Sequence, residues 1–156
     1  MTDMNRREFA LALIGVAAPA AALLRPPPAR AAAPIHAVLY KNPQCTCCEA
    51  YAHYLEQNGF QVDVTPTNDL AEISRKAGVP EALEGCHTMF VGGYVVDGLV
   101  PVRIVRKLLT EKPTIAGITL PGMPAGSPGM PGPKAGPLTV YAVSKDGTPP
   151  RVFAVG

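Results

Sequence analysis

Three of the four cysteines fall within four residues, Cys45-Thr46-Cys47-Cys48, and the fourth stands in the pair Cys86-His87. The thiolate is both a nucleophile and a metal ligand. An apolar run, Ala37-Val38-Leu39-Tyr40, and a turn, Lys41-Asn42-Pro43-Gln44, precede the cluster. A helix-like pattern from Glu49 to Asn58 follows it. The thiols therefore belong at a strand-to-helix junction, on the first turn of the helix. Unpaired backbone N–H groups and the helix dipole favour negative charge there. A thiol in that position loses its proton more easily.

Soft sulfur ligands select Cu(I) in particular. Cys45, Cys47, Cys48 and Cys86 supply up to four thiolates, and His87 adds an imidazole. A thiolate can bridge two metal ions, so the set could hold more than one. Ideal helical spacing puts Cys45 and Cys48 on one face and aims Cys47 elsewhere, although a cap residue need not be helical. Three other chemistries fit parts of the pattern. Cys₃His also suits a structural zinc ion. Cys45 and Cys48 alone have the spacing of a thiol–disulfide oxidoreductase. Four cysteines also suit two structural disulfides, if the chain works in an oxidising compartment. Against that last reading, structural bridges usually join distant loops, and three of these thiols crowd into one turn.

Met123 and Met130 lie in a loop of glycine and proline with no helical or strand face to bury. Its fixed irregular path could lay a thioether over the thiol site, a feature zinc does not explain. Met89 lies in a strand pattern and reads as core. His36 opens a strand and His53 sits on the first helix away from Cys45, so both read as surface residues.

The elements that must position these groups alternate from Ile35 onward. His36–Tyr40 reads as a buried strand. Tyr51, Tyr54 and Leu55 form an apolar helical stripe that Gly59 ends. Phe60–Val64 alternates with period two. Asp69 and Glu72 have the cap and third-position spacing of a second helix, with Leu70, Ile73 and Ala77 on one face. Thr88–Val91, Gly92-Gly93 and Tyr94–Asp97 read as a tight hairpin. Pro101 suits the start of a third helix, with Val102, Val105, Leu108 and Leu109 inward and Lys112-Pro113 at its end. Residues 113–137 break every period, and Leu138–Val143 with Arg151–Val155 predict a C-terminal hairpin. The order is β-α-β-α-β-β-α, with the first two strands parallel.

That order, with cysteines opening the first helix, resembles the thioredoxin-like α/β fold. In that fold the segment entering the third strand runs close to the active-site cysteines, which here implies Cys86 and His87 beside Cys45–Cys48. Beyond the fold, the set Cys-x-Cys-Cys, Gly-Val-Pro, Cys-His-Thr, Val-Gly-Gly-Tyr-Val-Val-Asp-Gly and Gly-Met-Pro-x-Gly-Ser-Pro-Gly-Met resembles the CopG-type copper-resistance family. This is the exported metal-binding family of that name, not the plasmid repressor. The resemblance covers about Ile35 to Met130. It implies a periplasmic thioredoxin-like protein that binds copper through Cys45, Cys47, Cys48, Cys86 and His87, more a metal-binding protein than an enzyme. Other periplasmic copper-handling proteins would be its partners. Thr46 stands where glycine is commoner, and Pro131 where an acidic residue is frequent.

The N-terminus carries an address. Asn5-Arg6-Arg7-Glu8-Phe9 is a paired-arginine start, Phe9–Leu24 is an apolar run, and Ala29-Arg30-Ala31 is a small-x-small cleavage site. This is the layout of a twin-arginine signal peptide over residues 1–31, with a metal-binding domain over 35–156. The run is 16 residues and is broken by Pro19, whereas a bilayer span needs about 20. No stable membrane anchor is expected. The chain has 14 Lys+Arg and 12 Asp+Glu, of which residues 1–31 hold four arginines and two acids. Fourteen less four, and twelve less two, leave ten of each in the mature part. Nothing basic remains to attract nucleic acid.

Overall fold

A computed structural model describes residues 32–156, and the expected signal peptide lies outside these. β1 (Ile35–Lys41) runs into α1 (Thr46–Glu56), then β2 (Phe60–Pro66) and α2 (Leu70–Lys76). A 3-10 turn at Glu81–Leu83 leads to β3 (His87–Val91), β4 (Tyr94–Asp97) and α3 (Val102–Glu111). β5 (Gly117–Thr119), β6 (Thr139–Val143) and β7 (Arg151–Val155) complete the chain. One sheet takes all seven strands in the order β2-β1-β3-β4-β5-β6-β7. β1 pairs parallel with β2 and β4 with β5, and the other pairs are antiparallel.

The element order expected over residues 35–111 is present. In β1, Ala37, Leu39 and Lys41 are buried at a spacing of two while the intervening side chains are not, as a pleated strand requires. Tyr51 and Leu55 of α1 are fully buried. Gly59 ends that helix at a φ of 81°, which glycine adopts without a Cβ penalty. Gly92 and Gly93 both take positive φ, the requirement of the two-residue turn that suits strand twist. Lys112, at φ 47°, caps α3 in the left-handed region, and its N–H donates to the Leu108 carbonyl.

Three expectations need correction. Asp69 does not cap α2 with its side chain; its own N–H donates instead to the Thr67 hydroxyl at 3.0 Å. The buried residue of α2 is Ser74, while Leu70, Ile73 and Ala77 are only half-buried. Most importantly, residues 113–137 are not all loop. β5 is a three-residue strand, buried throughout, and a strand so short and so covered shows no alternation to read. It lies against β4 so closely that a Cβ on Gly117 would meet the Val95 carbonyl oxygen at 1.8 Å. β5 is also what joins the C-terminal hairpin to the main sheet.

The core lies between the sheet and the buried faces of α1 and α3: Leu39, Tyr51, Leu55, Met89, Val96, Ile104, Leu108 and Ile118 belong to one cluster. Met89 is core, as its strand position implied.

Candidate metal centre

β1 ends in a turn that a buried lysine organises. Lys41 donates from Nζ to the carbonyls of Asn42 at 3.3 Å, Pro43 at 3.1 Å and Cys45 at 3.2 Å. It also pairs with Glu49 at 3.1 Å. A buried ammonium is costly unless it is paired and hydrogen-bonded, and here every donor direction finds an oxygen. This residue was missed in the sequence. Its signal was a charge at the inward position of a strand, in step with Ala37 and Leu39.

The turn delivers Cys45 to the N-cap of α1 with extended backbone, φ −76° and ψ 98°. Cys45 is joined to Cys48 by a disulfide, while Cys47 and Cys86 are free. Because Cys45 is not helical, the helical wheel does not govern it, and Cys47 points into the cluster after all. Its Sγ is 3.3 Å from Cys45 Sγ and 3.8 Å from Cys86 Sγ. All four sulfurs lie within 4.8 Å of one another. Cys48 Sγ also lies 3.2 Å from the Cys86 carbonyl oxygen; once the disulfide is reduced, that thiol has an acceptor in place.

Cys86 enters from the loop before β3. Burial, Cys47 and Asp97 push its thiol up to about 12. The helix-dipole argument therefore does not reach this cysteine, which is not on the helix. At neutral pH its sulfur keeps its proton until a metal cation displaces it into solvent, so metal binding here would release protons.

His87 is fully buried, with its ring 4.7 Å from that of Tyr51. Burial holds its imidazole down to about 3, so it is neutral. Nδ1 lies 3.6 Å from Cys86 Sγ, and among the described residues Nε2 has no hydrogen-bond partner. His87 touches the cluster through Cys86 but does not join the four-sulfur group. Tyr51 donates its own hydroxyl to the Val100 carbonyl at 2.8 Å, and its ring lies at 32° to that of His87.

The glycine–proline loop lies across the helix start. A Cβ on Gly129 would meet the Cys47 carbonyl oxygen at 2.6 Å, so only glycine permits this approach. Met123, 53% exposed, places Sδ 3.8 Å from Cys47 Sγ. Met130 packs against the core instead. His36 and His53 are exposed and pair with Asp63 and Glu56. An open cleft of about 440 Å³, lined by Cys45, Cys47, Cys86, Leu70 and Met123 among others, leads to the sulfurs. A cleft of similar size beside the turn between β6 and β7 lies among other residues and holds no sulfur.

Residues 83–130 match a family described as a protein of unknown function, DUF411. No curated protein matches the chain in sequence. Two solved structures described as copper resistance protein CopG, forms 2 and 1, superpose with TM-scores of 0.73 and 0.72. Each is 32% identical, over 79% of this chain and 98% of the other.

Proposed function

The chain belongs to the family of the copper resistance protein CopG, and from that premise we propose that it binds Cu(I) in the periplasm and serves copper tolerance. One observation carries the reading: four cysteine sulfurs, from two segments some forty residues apart, lie within 4.8 Å of one another. Sulfur donors at this density suit a soft monovalent ion, and bridging thiolates could hold several. Two-electron reduction of the disulfide by an external dithiol, itself oxidised to its own disulfide, would first free Cys45 and Cys48 as ligands beside Cys47 and Cys86. His87 borders the site as a neutral imidazole, with a buried nitrogen that has no partner among the described residues. Met123 offers a thioether on the open side, and Met130 supports the loop that carries it.

Delivery to the periplasm would follow the twin-arginine signal over residues 1–31. Among the described residues no helix is long and apolar enough to cross a membrane. The strand order β2-β1-β3-β4, with a thiol pair opening α1, supports reading the core as thioredoxin-like.

Reduced mature protein, reconstituted anaerobically, should bind Cu(I) stoichiometrically, and Cys45→Ser with Cys48→Ser should abolish this. Parent-like binding by the double variant would end the proposal. Zn(II) competing successfully against Cu(I) would move the assignment to zinc. A second reading, thiol–disulfide exchange, is favoured by the Cys45–Cys48 bridge at the helix start. Rapid insulin reduction by metal-free protein would support it.

A further inference from the structure

Asp97 ends β4 with its side chain fully buried and, among the described residues, makes no ion pair. Its acceptors are instead filled by three neutral donors. One carboxylate oxygen accepts the backbone N–H of Gly85. The other accepts the hydroxyls of Thr88 at 2.8 Å and Ser74 at 3.0 Å, and those two hydroxyls also touch each other. The carboxylate thus ties three places together: the loop before β3, β3 itself, and α2. None of these groups belongs to the four-sulfur cluster.

What lies between the tied points is Cys86. Gly85 precedes it, and Thr88 follows it by two residues. The same short stretch is locked by backbone contacts. Gly98 donates its N–H to the His87 carbonyl at 3.0 Å, and Leu120 donates its own to the Asp97 carbonyl at 2.9 Å. A Cβ on Gly85 would lie 2.5 Å from the Gly98 Cα, so the two loops touch at their glycines. A buried anion without a cation is a costly way to hold a core together, and apolar residues of similar volume generally do it as well or better. A satisfied buried polar network does something apolar packing cannot, which is to impose one geometry.

We infer that Asp97 is the positioning residue for Cys86: its carboxylate, by holding the Gly85 N–H and the Thr88 and Ser74 hydroxyls, fixes where the Cys86 sulfur meets the other three. The inference deepens the copper-binding proposal and rests on it for its purpose, but its geometry is testable without metal.

In metal-free protein with the Cys45–Cys48 disulfide intact, Cys47 and Cys86 are the free thiols. Their separate rates of alkylation by iodoacetamide can be read by peptide mass spectrometry. Asp97→Ala should raise the Cys86 rate ten-fold or more and leave the Cys47 rate within two-fold. Asp97→Asn keeps an oxygen for the Gly85 N–H and should hold the Cys86 rate within about three-fold of the parent. A Cys86 rate unchanged by Asp97→Ala overturns the inference, and so do Cys47 and Cys86 rates that rise together. Should Asp97→Ala not fold, hydrogen exchange of the unaltered chain decides. The Gly85 amide should exchange at least a hundred-fold slower than a free loop amide, and exchange at the free rate overturns the inference. In Cu(I) titrations of the reduced protein, Asp97→Ala and Cys86→Ser should weaken binding by similar factors and the pair no further. Additive losses there would overturn the assignment to Cys86. A chain that binds no copper would sink the proposed function while leaving the alkylation result standing.

Discussion

At the scale of single residues, the centre sets two buried titratable groups against each other. Asp97 is raised to about 6, chiefly by burial, with its hydrogen bonds pulling the other way. His87 is lowered to about 3 by burial. Between pH 4 and 6 the folded chain holds a proton on Asp97 that the unfolded chain has lost, so this group makes stability fall as pH rises. Across about pH 3 to 6.5 the unfolded chain holds a proton on His87 that the folded chain refuses, so this group makes stability rise with pH. Each contribution is on the order of 3–5 kcal/mol over its full window, and they oppose each other in the overlap. The parent should therefore show a nearly flat stability profile from pH 4 to 6. Asp97→Asn should gain stability as pH rises through that range, and His87→Gln should lose it. Thermal denaturation of the three proteins in stepped buffers checks this; parallel profiles would show that neither group titrates as its burial demands. Lys41 is buried as well, as a cation. Its ammonium is kept buried by the three carbonyls of the turn that presents Cys45.

Among the elements, the glycine–proline loop does the least regular work and the most specific. It closes on itself through Ser127, whose N–H and hydroxyl both donate to the Pro124 carbonyl. It then presses Gly129, at φ 89°, onto the first turn of α1. Gly129→Ala adds a Cβ in a left-handed conformation that costs about 1–3 kcal/mol, and that Cβ has no room. Lifting the loop relieves both penalties. The expected result is a several-fold faster alkylation of Cys47, whose neighbour Met123 leaves with the loop, and a loss of global stability of no more than about 2 kcal/mol. Peptide-resolved alkylation together with urea denaturation measures both. An unchanged Cys47 rate would mean that the loop does not shield this thiol.

For the whole molecule, the question is whether the fold survives in the state that would hold metal, with the disulfide open. The bridge spans a sequence separation of only 3, so in the chain-entropy picture it stabilises by roughly 2 kcal/mol at most. The core behind it holds Leu39, Tyr51, Leu55, Met89, Val96, Ile104 and Leu108. Burying each of these large side chains contributes about 1.5–3 kcal/mol. Reduction should therefore lower the thermal midpoint modestly and leave one cooperative transition, visible by calorimetry with and without a thiol reductant. Loss of the transition on reduction would mean that the dithiol form cannot serve as a binding state. The described domain carries little net charge with which to steer a cation from afar, so capture depends on the chemistry inside the open cleft.

The amino-acid order alone determined the cysteine cluster at a strand-to-helix junction, the hairpin turned by Gly92-Gly93, the helix stop at Gly59 and the element order through residue 111, because caps, turns and hydrophobic periods act over a few residues. It also showed Met123 to be out of place for a core residue, whereas the same reading failed for Met130, which packs against the core. Distance relations could not be read the same way. Tertiary structure decided that Cys47 turns inward, that His87 touches the cluster only through Cys86, and that Met123 rather than Met130 meets a thiol. It revealed the buried charges of Lys41 and Asp97, and the strand β5 that makes seven strands of one sheet. Each of those depends on groups brought together from separate segments, and burial, which sets their chemistry, is a property of the packed chain and not of any stretch of it.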